Sequence, residues 1–233
     1  MPSTKIFSKI EPTDKIGQIL SAIQNSIIEG QWPPGTKLPS EKDMAKELGV
    51  SRFSLREALC VAEAQGLIKI QQGKRPVVIS PSASPIKTVM SLVMKRTQEN
   101  LLDLTKARAG LECVIAQVAA EKITEPELNN LEENITLMAI NGRDLDYYVA
   151  KDAEFHDIIL KSTKSIVFEI MLSSVTPLVA ESIKMTLANG GIERANKMHR
   201  EIFKALQKHD PALAGQKMAL HMQYAEEDLQ KVL

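Results

Sequence analysis

Three histidines and one aspartate stand where the hydrophobic pattern asks for apolar residues. The inward series at 145, 149, 152, 156 and 159 reads Leu, Val, Asp, His, Ile. The series at 192, 195, 199, 202 and 206 reads Ile, Ala, His, Ile, Leu, and that at 214, 218, 221, 225 and 229 reads Ala, Met, His, Ala, Leu. Asp152 and His156 are four residues apart, so they lie one turn apart on a single helical face. One inward histidine by itself is ordinarily a hydrogen-bonded core residue. Three of them with an aspartate, spread over three helices, are expensive to bury without a common partner. Imidazoles plus a carboxylate suit a divalent transition metal such as Zn, Ni or Mn, with positions left over for water or an exogenous ligand. His209 precedes Asp210-Pro211 at a helix end and reads as a solvated residue.

A second kind of chemistry belongs to the arginines. Arg108 falls on the inward face of the series Leu101, Leu104, Arg108, Leu111, Ile115 and Val118. A guanidinium there could take a carboxylate ligand bidentately. The alternative is a salt bridge to Glu112 one turn on. Nearer the amino terminus, Leu48-Gly49-Val50-Ser51-Arg52-Phe53-Ser54-Leu55-Arg56-Glu57-Ala58-Leu59 reads as the turn and second helix of a helix-turn-helix. Gly49 can adopt the positive φ of the turn, and Ser51 can cap the helix. Leu55, Ala58, Leu59 and Ala62 face a core, which leaves Arg52, Phe53 and Arg56 outside. Arginine in the first turn of such a helix is suited to guanine in the major groove.

The elements that must hold these residues follow from periodicity and punctuation. In a chain of 233 residues there is room for two modest domains. Aromatics at 4% favour a helical protein packed with Ala, Leu, Ile and Met over a sheet protein. No window approaches 18 uninterrupted apolar residues, so no membrane span is expected. The amino terminus lacks an apolar signal core, and a cytoplasmic protein is expected. Cys60 and Cys113 form no metal-type pair and read as reduced, buried thiols.

Net charge is zero over the whole chain, which is unusual for a partner of nucleic acid. Residues 1–80 nonetheless carry eleven Lys/Arg against eight Asp/Glu, a surplus of three positive charges. That bias is mild, so the motif carries the argument.

Taken in order, residues 1–12 read as a loose arm, and Thr13 as the cap of a helix with Ile16, Ile19, Leu20, Ile23 and Ile27 on one face. Ser40-Glu41-Lys42-Asp43 fits a capping box ahead of a short helix. Leu67–Gln71 and Val77–Ile79 read as two short strands around Gly73-Lys74. Ser80-Pro81-Ser82-Ala83-Ser84-Pro85 is a linker by composition. About seven helices follow, opening near 86, 101, 124, 145, 165, 192 and 211, with a bend expected at Pro177. Asn141-Gly142 and Asn189-Gly190-Gly191 read as stop signals. The fold class is therefore mainly α. A winged helix-turn-helix domain over 1–80 and a linker over 81–85 precede an all-α domain over 86–233.

Three blocks, P-P-G-x-K-L-P-S-E from Pro33, L-G-V-S-R-x-x-L-R-E-A-L from Leu48 and G-L-I-x-x-x-x-G-K-R-P-V-V from Gly66, resemble the amino-terminal winged helix of the GntR family of bacterial transcription regulators. The wing reads Gly73-Lys74-Arg75-Pro76 where the family more often has Gly-x-Gly-Thr. The resemblance implies a DNA-facing set of Lys42, Ser51, Arg52, Phe53, Ser54, Arg56, Gly73, Lys74 and Arg75.

Leu104-x-x-x-Arg108-x-x-Leu111-Glu112, Asp152-x-x-Phe155-His156, His199-x-x-Ile202 and Met218-x-x-His221 are similar to the FCD ligand-binding domain of the FadR subfamily. That resemblance implies that Asp152, His156, His199 and His221 are metal ligands and that Arg108 contacts a small carboxylate effector. It also implies a homodimer on a short inverted repeat of double-stranded DNA, acting as a repressor. Three rivals stay open on the sequence alone: a metal sensor, a structural metal in a dimerisation module, and a metal-dependent enzyme. The enzyme is disfavoured because nothing resembles H-E-x-x-H and no general base is placed.

Overall fold

A computed structural model describes residues 15–94, 101–141, 144–187 and 191–233. The expected arm over 1–12, the Thr13 cap, and Gly142, Asn189 and Gly190 lie outside those residues. The chain divides into two compact units, Met1–Pro85 and Ile86–Leu233.

In the first unit, α1 (Lys15–Ile28) and α2 (Glu41–Glu47) pack on α3 (Arg52–Ala64), and a two-stranded antiparallel ribbon follows. The ribbon joins β1 (Ile68–Lys69) to β2 (Val77–Val78), with Ile68 opposite Val78 and Lys69 opposite Val77. It is shorter than the pattern suggests. Ile70 turns its N–H to the Glu63 carboxylate, and Lys37 bridges to Val77 on the other side. The core is aliphatic: Ile19, Ile23, Leu38, Met44, Leu55, Ala58, Leu59, Ala62, Ile68 and Val78. Both expected caps form. Ser40 Oγ accepts from Asp43 N, and Ser51 Oγ accepts from Ser54 N at 3.0 Å. Cys60 is exposed and Cys113 half-buried, so neither is the buried thiol expected of it. Cys60 falls off the 55, 58, 59, 62 stripe, and helical position outweighs the residue's general preference for burial.

Gly66 closes α3 with φ +72°, and a Cβ there would stand 2.7 Å from Pro85 Cγ. Gly73 has the same φ but open space around it. Gly66→Ala is expected to lose about 1–2 kcal/mol from the left-handed backbone alone, and more from the Pro85 contact. Gly73→Ala should lose only the backbone part. Denaturant unfolding of both variants checks this, and equal losses would mean that Pro85 yields at no cost.

The second unit begins within α4 (Ser84–Met94) and is a bundle of α5 (Leu101–Lys122), α6 (Glu125–Ile140), α7 (Leu145–Ser162), α8 (Ile166–Thr186), α9 (Ile192–Gln207) and α10 (Pro211–Val232). Helix α4 begins at Ser84, so the last two residues of the expected linker are its first turn. Helix α8 runs as one assigned helix through position 177. Among the described residues, the most extensive helix pairing is α10 with α5. Small residues make it possible: Ala116, Ala119 and Ala120 on α5 and Ala214 and Gly215 on α10. A Cβ at Gly215 would meet the Gln117 side chain at 2.5 Å. The core of this unit surrounds Leu131, Met138, Tyr148, Phe155, Ile159, Ile202 and Met218. Among the described residues, no helix is long and apolar enough to cross a membrane.

Candidate metal centre and nucleic-acid interface

The polar residues of the inward stripes meet at one place. Helix α7 brings Asp152 and His156, α9 brings His199, and α10 brings His221. Their exposures are 5%, 3%, 0% and 7%, so all four are shielded from water. One ligand atom from each lies within 4.8 Å of all the others. His156 Nε2 and His221 Nε2 are 3.4 Å apart, and His199 Nε2 is 3.3 Å from Asp152 Oδ1.

Two observations test whether a metal fits. Neither ring nitrogen of His199 has a hydrogen-bond partner, although the side chain is fully buried. Its 3.3 Å approach to Asp152 is close enough for attraction but lacks hydrogen-bond geometry. Orphaned buried nitrogens are costly, and a coordinated cation removes that cost. Second, His156 Nε2 and His221 Nε2, 3.4 Å apart, are close enough to share one cation, which an imidazole nitrogen binds at about 2.0–2.1 Å. The residues present therefore fit a divalent cation.

Burial also sets the protonation state that ligation requires. It pushes the His199 imidazole down, and pushes His221 well down with help from the neighbouring imidazoles. Both rings are neutral near pH 7, with lone pairs available. Phe155 packs against His199 with ring centroids 4.2 Å apart and fixes its plane.

Glu112 on α5 stands behind this cluster. Its Oε2 pairs with His156 Nδ1, and its Oε1 accepts from Arg108 Nε. Burial alone would raise its carboxyl, but the Arg108 guanidinium, and after it His156, hold it down to about 2. With Nδ1–H directed at Glu112, the Nε2 lone pair of His156 is left for the centre. Inspection of residue types offered Glu112 only as a partner for Arg108. Its link to His156 depends on how α5 faces α7, although its place on the inward stripe of α5 was a usable signal.

A cavity of about 50 Å³ opens beside the cluster, lined at one end by Arg108, Asp152, His156 and His221. Arg108 thus both pairs with Glu112 and faces the cavity, so its two sequence-based roles coexist. The other end is lined by Arg194, Tyr224 and Asp228, which no motif singled out. His209 is exposed as expected, yet its Nδ1 lies 2.9 Å from the Ala120 carbonyl oxygen.

In the first unit, Lys42, Ser51, Arg52, Phe53 and Arg56 are exposed and Ser54 is half-buried. Phe53 is 72% exposed. The hydroxyls of Ser51 and Ser54 lie 2.9 Å apart, which commits them to the cap. Arg52 has no ion pair among the described residues. Arg56 Nε donates to Glu41 Oε2 at 2.6 Å, so α2 holds its guanidinium. Gly73, Lys74 and Arg75 are exposed at the tip of the ribbon, where Gly73 has φ +72°.

Comparison with known proteins adds family matches, relatives and a solved structure. Residues 15–78 match the family of bacterial regulatory proteins described as the gntR family, and residues 103–224 match the FCD domain. An uncharacterized HTH-type transcriptional regulator, YcbG of Bacillus subtilis, is 31% identical, over 92% of this chain and 89% of its own length. The HTH-type transcriptional regulator LutR of the same organism is 26% identical, over 87% and 95%. The HTH-type transcriptional repressor NanR of Edwardsiella tarda is 25% identical, over 86% and 79%. Among solved structures, Streptococcus agalactiae GntR superposes with a TM-score of 0.73 at 25% identity, over 91% of this chain and 99% of that one.

Proposed function

The chain belongs to the GntR family, with an FCD domain behind its winged helix, and is a ligand-responsive DNA-binding transcription regulator; from that premise we propose that its effector is a small carboxylate taken at a divalent metal. The observation that carries this is the fully buried His199, whose two nitrogens lack hydrogen-bond partners beside a carboxylate and two further imidazoles. Asp152, His156, His199 and His221 hold the metal, and this donor set suits Zn, Ni or Mn. When bound, it supplies a Lewis-acidic seat for a ligand oxygen. Glu112 fixes the His156 tautomer, and Arg108 lies along the cavity to receive the rest of the carboxylate charge.

The regulator acts as a repressor that effector releases. Release requires the effector to prefer one arrangement of a homodimer over another, because a ligand with equal affinity for both shifts nothing. A twofold dimer on an inverted repeat doubles the base contacts of one winged helix. Lys42, Ser51, Arg52, Phe53, Ser54 and Arg56 face the major groove, and Gly73, Lys74 and Arg75 reach phosphate or the minor groove. Arg52→Ala should weaken operator binding by about 1–3 kcal/mol and relax specificity at one base pair per half-site. Lys74→Ala should weaken binding to all sequences and flatten the salt dependence by about one unit of slope. Gel-shift titrations at several salt concentrations read both effects. Unchanged affinity on Arg52→Ala would remove α3 as the reading helix.

The proposal as a whole is tested on untagged protein. Elemental analysis should find one divalent metal per chain. A carboxylic-acid panel should then raise the melting temperature and release DNA only in the metal-loaded form. Metal-dependent DNA binding without any organic ligand would instead make the protein a metal sensor.

A further inference from the structure

The cavity has two chemically different ends, and the far end says which carboxylate fits. This rests on the reading of the cavity as the effector site. The near end holds Arg108, paired with Glu112, together with Asp152 and imidazoles that must be neutral to ligate a metal. Adding a divalent cation leaves one positive charge over, enough for one carboxylate.

The far end is already balanced. Arg194 near the start of α9 pairs through Nη2 with Asp228 on α10 and reaches Glu227 at 3.7 Å through Nη1. Its guanidinium lies over the Tyr224 ring, 4.6 Å from the centroid, and Lys231 Nζ adds a second contact to Asp228 at 3.0 Å. Asp228 is the most enclosed of these charges, with its side chain 17% exposed against 33% for Arg194 and 67% for Lys231. Ala195, Met198 and Met222 add apolar wall to the same cavity.

A second carboxylate entering here would meet Asp228 and find no uncompensated cation. A like-charge contact with the largely covered Asp228 carboxylate is unfavourable. A hydroxyl meets no such penalty. It can donate to the Asp228 carboxylate and accept from the Arg194 guanidinium while the ion pair stays intact. We infer that Arg194 and Asp228 are the specificity-determining pair of the effector site, admitting a short hydroxylated monocarboxylate and rejecting a dicarboxylate of the same length.

The test uses the full-length protein reconstituted in turn with Zn²⁺, Ni²⁺ and Mn²⁺. Calorimetric titrations compare glycerate, malonate and propionate, which share three carbons. Glycerate should bind at least tenfold tighter than malonate and tighter than propionate. Asp228→Asn keeps the shape, removes the anion and frees Arg194, so it should raise malonate affinity relative to glycerate at least tenfold. Arg194→Gln should weaken glycerate while leaving malonate poor. Malonate binding as well as glycerate to the wild type, or an unchanged ratio in Asp228→Asn, overturns the assignment while the effector site stands. Absence of binding by all three acids in every metal form overturns the effector site itself and this assignment with it.

Discussion

Glu112→Ala is expected to lower the stability of the effector unit by about 3–5 kcal/mol, the usual result of removing one partner from a buried ion pair. For a domain of this size that is a fall in melting temperature on the order of 10 °C. Arg108, only 6% exposed, would be left as a buried guanidinium without its acceptor, and His156 would lose the group that orders its tautomer. The loss should depend on acidity. The Glu112 carboxyl sits near 2 in the folded chain against an ordinary 4.5, so its ionised form favours the fold. That contribution is complete above the unfolded value and is lost as pH falls from about 4.5 towards 2. Wild type and variant should therefore converge in stability at the acid end. Combining Glu112→Ala with Arg108→Met should recover part of the loss, since the orphaned charge goes with its partner. Thermal melts from pH 3 to 8 decide the matter. A variant within 1 kcal/mol of wild type at pH 7 would show that water reaches Arg108 and replaces the carboxylate.

His221→Ala should abolish stoichiometric metal and, with it, metal-dependent stability. Three helices, α7, α9 and α10, each contribute side chains to this cluster. A cation bound to the native form alone stabilises by mass action, about 4 kcal/mol at a thousandfold excess over its dissociation constant. Chelator-treated wild type and His221→Ala should then melt close together, while metal-loaded wild type melts well above both. His199→Ala should lose metal equally. In the metal-free state it should be tolerated better than its 0% exposure suggests, because it removes two nitrogens without hydrogen-bond partners along with the packing. Elemental analysis and melts with and without chelator read each of these. One retained equivalent of metal in His221→Ala would exclude that imidazole from the ligand set.

Much of this was legible in the residues themselves. The i, i+4 spacing of Asp152 and His156 places them on one face whatever the neighbours do. Ser51 and Gly49 define the start of α3 by cap chemistry and a positive φ of 65°, which are local events. Periodicity likewise selects the inward positions 199 and 221, because a helix repeats every 3.6 residues regardless of its packing. What periodicity leaves open is the rotation and height of one helix against another. Glu112 reaches His156 because the α5 stripe, lined with alanines, lies close beside α7 and α10. Arg194 meets Asp228 because α9 and α10 pack side by side at that height. The wing strands are two residues long for the same reason: neighbouring chain, not residue type, decides where their pairing stops. Residue type and spacing determined which side chains turn inward, and tertiary packing decided which of them meet, since inter-helix contacts depend on side-chain volumes summed across the whole core.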